Sequence, residues 1–211
     1  MNNSPKIILA IESAICGGSI SLLRDGNEVA HWVGSANISK AEDLLANIDT
    51  MLASNNVALN EIDLVAVSAG PGSFTGIRIG IATTLGLKAA LGIAMSSESV
   101  LKAMAFVQPD SGNVVAALPV GRNAVCLQTF EVSGGEVVAQ EEPRAVTESE
   151  FQTFVFRQNN KDFVLHSALY EKLTPSPSIA NFGTNIAFAI GQICRKNSGV
   201  VNEPLFISKT F

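Results

Sequence analysis

Histidine and cysteine are scarce in this sequence, and their scarcity removes whole classes of chemistry. Of 211 residues, two are histidine and three are cysteine. Neither His31 nor His166 has a ligand-type partner four residues on, so the helix- or turn-spaced donor sets of zinc and iron enzymes are missing. Both read as structural or surface groups, and no metal site is expected. Cys16, Cys126 and Cys194 are far apart and odd in number. They give neither a disulfide framework nor a paired metal spacing, and read as buried free thiols. Long apolar runs are lacking too: none approaches the ~18–20 residues that cross a bilayer. The opening Met1-Asn2-Asn3-Ser4-Pro5-Lys6 leads into an apolar run too short for a secretory signal. A cytoplasmic chain with no membrane contact is expected. Positive charge is thin, at 14 Lys and Arg against 19 Asp and Glu, net −5, with no basic cluster. The positive stripe of a protein that grips nucleic acid alone is therefore absent.

Apolar residues, by contrast, make up 47% of the chain and charged ones 16%. Some of that apolar surface is expected to be covered by another subunit. The length suits one large domain or two lobes. Lys6–Glu12 reads as a buried strand, followed by Ser19–Arg24 and Glu28–Val33, with Asp25-Gly26 as the hairpin turn between these two. Ser39 opens a helix with Glu42 as its capping-box partner. Ala41, Leu44, Leu45, Ile48, Met51 and Leu52 recur there at helical spacing. Leu64–Ala69 is a strand buried on both faces, and a helix runs from about Thr75 to Leu91. Ile93–Met95 and a helix near Glu98–Val107 end this half. The second half repeats the order. Strands are predicted at Val114–Leu118, Ala124–Val132 and Glu136–Glu141. A helix capped by Thr147 and Glu150 comes next, then a strand at Asp162–Leu165 and a helix at Gly183–Lys196. The stretch Thr174-Pro175-Ser176-Pro177-Ser178 reads as an exposed loop. A strand-strand-strand-helix-strand-helix unit used twice is the plan of the two-lobed actin/hexokinase/Hsp70-like α/β fold. Residues 1–108 would form the first lobe and 109–211 a smaller second one, with the final segment returning to the first.

The sharpest motif is Gly70-Pro71-Gly72-Ser73-Phe74-Thr75-Gly76-Ile77-Arg78-Ile79-Gly80. A buried strand ends, a glycine-proline-glycine turn follows, and a helix begins with free backbone N–H groups. It reads either as an anion seat or as a tight structural turn. Gly76, Gly80, Ala82, Gly86 and Ala90 keep the helix slim; each helical glycine costs ~1 kcal/mol against alanine, so close approach or ligand access must compensate. Arg78, near the start of this helix, either meets a buried carboxylate, the favoured reading, or reaches an anion.

This motif resembles the signature of the bacterial TsaB (YeaZ) family. Ile8–Leu23, Leu44-Leu45 and Glu203-Pro204-Leu205-Phe206 are similar to further family elements. The resemblance implies the two-lobed fold and a part in making threonylcarbamoyladenosine on tRNA. It implies a scaffold or activator of the paralogue TsaD, which carries the metal-binding histidines and performs the transfer, with the ATPase TsaE joining the assembly. Docking through the first-lobe helices falls here on Leu44, Ile48, Met51, Ile77, Gly80, Thr84 and Lys88; alone, the chain would form a homodimer. No cofactor is required. ATP or ADP, if held at a partner interface, would fall on Glu12, Gly70, Gly72, Ser73 and Thr75, and tRNA would be met only indirectly. The chain departs from the family pattern at three polar positions. Glu12 stands where Asp is usual, Lys40 where His is frequent, and Pro119-Val120-Gly121 where an Asp-Ala-Arg segment opens the second lobe.

No catalytic residue is expected. Ser73 and Cys16 lie in turns but have no identifiable base, and Pro71 and Phe74 break the nucleophile-elbow spacing. The rival reading is a nucleotide-binding or ATP-hydrolysing enzyme of the same fold, with Glu12 as its acidic group. Pro119 stands where that reading would want a second carboxylate.

Overall fold

The computed structural model describes residues 5–15, 17–34, 40–108, 112–158, 162–173, 179–182 and 185–197, with backbone alone at 40–43. Two sheets of the same strand order organise it. The first contains β1 (Ile7–Glu12), β2 (Ser19–Arg24), β3 (Asn27–Val33), β4 (Leu64–Ser68) and β5 (Ala94–Glu98), in the order β3-β2-β1-β4-β5. The second contains β6 (Gly112–Pro119), β7 (Ala124–Ser133), β8 (Glu136–Ala139), β9 (Arg144–Thr147), β10 (Asp162–His166) and β11 (Ile179–Phe182). Its order is β8-β7-β6-β10-β11, with β9 pairing to β7. In both sheets the third, second, first, fourth and fifth strands of that path follow one another. The first two pairs along the path are antiparallel and the last three strands are parallel in each. This is the duplicated unit that the element order implied.

The helices are α1 (Lys40–Ser54), α2 (Phe74–Leu91), α3 (Val100–Phe106), α4 (Glu148–Arg157), α5 (Ser167–Tyr170) and α6 (Ile186–Lys196). β1 and β4 are central strands covered on both faces, which explains their unbroken apolar runs. Leu9, Ile11, Val65 and Val67 share one core with Leu44, Ile48, Met51 and Leu52 of α1. On the opposite face α6 lies against β1, β2, β4 and β5, and Gly191 lets it come close to Ala10 and Leu23. A second core gathers Val115, Ala117, Leu127, Phe163 and Leu165 of the second sheet with Phe151 of α4 and Leu169 of α5. Asp25 and Gly26 both take positive φ, 52° and 85°, as the two-residue hairpin turn requires.

Several boundaries differ from the sequence reading. The division between the compact units falls at Val100/Leu101, within α3, not near Gln108. α6 is counted with the first unit, because its buried stripe of Ile186, Ala187, Ala189, Ile190 and Ile193 needs the free face of the first sheet. β9, α5 and β11 were not anticipated. The Ser39 cap with Glu42, the side chains of Lys40 and Ala41, Cys16, the loop 174–178 and the motif at 203–206 lie outside the described residues. No helix among the described residues is long and apolar enough to cross a membrane.

Candidate functional site

The glycine-rich motif folds against the turn that follows β1. Ser73 is the N-cap of α2, its hydroxyl accepting from the Gly76 N–H at 3.2 Å. The Ser73 N–H in turn donates to the Ala14 carbonyl at 2.6 Å, and the Ser13 hydroxyl donates to the Gly76 carbonyl at 2.8 Å. The glycines follow from this contact. A methyl group at Gly72 would overlap the Ala14 carbonyl, one at Gly76 the Ser13 carbonyl, and one at Gly80 the Ser13 hydroxyl. Gly72 also holds φ at 154°, within the range that favours glycine. Close approach of the Ser13 backbone and hydroxyl therefore compensates for the helical Gly76 and Gly80. Ser13 and Ala14 went unnoticed in the sequence because nothing local marks them; their partners are some sixty positions away.

Of the residues assigned to a nucleotide, the structure gathers Glu12, Gly72 and Ser73 around this contact. The Gly70 carbonyl instead accepts from the Val100 N–H at 2.8 Å, and Thr75 is exposed on the first turn of α2. Glu12 is 1% exposed. Its Oε1 accepts from the backbone N–H of Ala14 and, at 2.9 Å, of Ile15. A carboxylate of the chain thus already sits on the N–H groups of this turn.

The assigned docking residues are corrected by their burial. Leu44, Ile48 and Met51 are turned into the first core, and Ile77, Gly80 and Thr84 face the sheet and the Ser13 turn. An apolar stripe at helical spacing marks the inward face of a helix first. Lys88 alone of that set is exposed. The outward face of α2 instead carries Phe74, Arg78, Ala82, Leu85, Gly86 and Ala89, with Phe74 and Leu85 each 50% exposed. On α1, Leu45 is exposed. Among the described residues Arg78 reaches no buried carboxylate; its guanidinium stacks on the Phe74 ring, 3.7 Å from the centroid.

The histidines have structural partners. His31 Nδ1 lies 3.4 Å from Glu28 Oε2, and His166 Nδ1 accepts from the Ala168 N–H at 3.2 Å to cap α5. Among the described residues no three His, Cys, Asp or Glu side chains are grouped as a metal would need. Cys126 is buried, which pushes its thiol up to about 12.

The family model described as TsaD, tRNA N6-adenosine threonylcarbamoyltransferase, matches residues 35–161, more than half of the chain. The tRNA threonylcarbamoyladenosine biosynthesis protein TsaB of Haemophilus influenzae is 35% identical over 121 residues, covering 56% of this chain and 51% of the relative. The Escherichia coli protein of the same name is 30% identical over 146 residues, covering 68% and 63%. The chain belongs to this family, as a TsaB (YeaZ) member. It spans about half the length of the first of these relatives. The TsaB fold is matched by a solved structure, YeaZ from Pseudomonas aeruginosa, with a TM-score of 0.70 at 21% identity over 89% of this chain and 90% of that one. An activator of 2-hydroxyisocaproyl-CoA dehydratase from Clostridium difficile, solved with bound ADPNP, shares the fold at 8% identity. Its TM-score is 0.55, with 90% of this chain and 95% of that one covered. The expected two-sheet α/β fold is thus shared by this TsaB-family chain and both solved structures.

Proposed function

We propose that this TsaB-family chain serves the synthesis of threonylcarbamoyladenosine on tRNA as a non-catalytic subunit that docks a TsaD-type transferase through the outward face of α2. One observation carries the reading. Gly76 and Gly80 are accounted for by the Ser13 turn, but a methyl group at Gly86 would meet nothing within 4 Å among the described residues. A mid-helix glycine with no internal neighbour costs ~1 kcal/mol that the fold does not recover. It lies beside Leu85 and Ala89 on a face that is apolar yet exposed, and a slim apolar helix face admits a second helix closely. The names of the relatives supply the pathway. The carboxylate of Glu12 on the Ala14 and Ile15 N–H groups supports a non-catalytic role over nucleotide turnover. A TsaE-type ATPase completes the assembly, a homodimer uses the same face in isolation, and tRNA is met through the partner in the cytoplasm.

Depleting the protein should remove the threonylcarbamoyl mark from tRNA. Wild type should restore the mark, whereas Leu85→Glu, placed on an exposed position, should fold but fail to restore it. Full restoration by Leu85→Glu would move the docking surface elsewhere. Heat on titrating ATP and magnesium into the isolated chain, abolished by Glu12→Ala, would favour the nucleotide-binding reading instead.

A further inference from the structure

Arg78 brings to α2 a charge for which the described residues supply no counterpart. Its guanidinium lies 3.7 Å from the centroid of the Phe74 ring, one helical turn earlier, and no carboxylate among the described residues pairs with it. Stacking on a ring occupies the face of a guanidinium. It leaves the in-plane N–H donors in their fork, the geometry that meets a carboxylate through two hydrogen bonds. The stack also orders the side chain before a partner arrives, which lowers the cost of binding. α2 carries two cations, Arg78 and Lys88, and no Asp or Glu, in a chain of net charge −5. Lys88 lies in the last turn, where the helix dipole favours a cation; Arg78 lies early in the helix, where it does not. Phe74, Arg78, Leu85 and Lys88 are exposed, and at helical spacing they fall within about a quarter of the circumference. Resting on the reading that α2 is a docking helix, we propose that its partner presents an Asp or Glu to the Phe74–Arg78 stack. The matching surface is apolar, with that carboxylate at the end that covers the start of α2. The ion pair selects the partner and sets which way it lies along the helix.

The test is calorimetric titration of the full chain into the TsaD-type transferase, with variants at exposed positions. Wild type should bind. Arg78→Gln, which keeps a polar side chain without the charge, should weaken binding about tenfold or more. Arg78→Lys, which keeps the charge without the fork, should fall between the two. Lys88→Gln removes the same unit charge from the same helix and should change affinity less than about twofold. Added salt should weaken the wild type more steeply than Arg78→Gln. Thermal unfolding of each variant should stay within about 2 °C of wild type, as expected of exposed positions. Exchanging the surface carboxylates of the transferase for lysine one at a time should give one variant that binds Arg78→Glu. With the wild type bound, near-wild-type affinity in Arg78→Gln, an equal loss in Lys88→Gln, or no transferase variant that binds Arg78→Glu would overturn the proposal alone. Absence of wild-type binding, or full affinity in Leu85→Glu, would remove the docking reading and the proposal with it.

Discussion

At the scale of single residues, the glycines of α2 are of two kinds, those pressed against the Ser13 turn and one that is exposed. Gly76 abuts the Ser13 carbonyl, and backbone cannot swing aside as a side chain does. Gly76→Ala should lower unfolding stability by about 3 kcal/mol or more, at the upper end of overpacking costs. Gly86→Ala, whose added methyl meets no atom of the described residues within 4 Å, should raise stability by about 0.5–1 kcal/mol. Denaturant titrations of the two variants check both signs. The motif itself was legible as a glycine-rich start to a helix, but the backbone those glycines touch was not, because it lies far away in sequence. Arg78 was misjudged for a related reason: a ring four positions earlier satisfied it at the surface. Cys126 gives a pH signature. Its thiol is neutral in both states below pH 9, and above that the unfolded chain loses the proton while the folded one holds it to about pH 12. Stability should therefore fall across this window. Cys126→Ala should show a shallower decline between pH 9 and 11, measured by denaturant midpoint.

At the scale of elements, local chemistry was readable wherever the chain signals its own ends. Thr147 and Glu150 form the expected capping box. The Glu150 N–H donates to Thr147 Oγ1 at 3.2 Å, and the Thr147 N–H donates to Glu150 Oε2 at 2.7 Å. Thr147→Ala should lower stability by about 1 kcal/mol, with faster amide exchange confined to the first turn of α4. β9 escaped notice because Arg144-Ala145-Val146-Thr147 has no strong alternation of its own. It becomes a strand by pairing Ala124–Leu127 of β7. α5 is a single turn capped by His166, too short to leave a periodic trace. α1 and α2 show the limit of helical periodicity as a guide to partners. The recurrence of Leu44, Ile48 and Met51 marked the face that this chain buries for itself. Leu45, Leu85 and Gly86 are instead exposed on these helices.

At the scale of the whole molecule, duplication explains why the fold was legible from element order. Two sheets with one path and one pattern of strand directions arise from two halves that carry the same succession of elements. The return of α6 to the first sheet was only hinted at, since its apolar stripe fits any apolar face. Membership of the TsaB family and the exposed side of α2 together define the central claim, that this chain works by presenting a helix face. The direct measurement is calorimetric titration of the purified chain into its cognate TsaD-type transferase, repeated with Leu85→Glu and Gly86→Ala. The expected result is saturable binding by the wild type. Leu85→Glu should weaken it at least tenfold, and Gly86→Ala should weaken it despite a stability gain. Wild-type affinity in both variants, or no heat of binding for the wild type at micromolar concentrations, would contradict that claim.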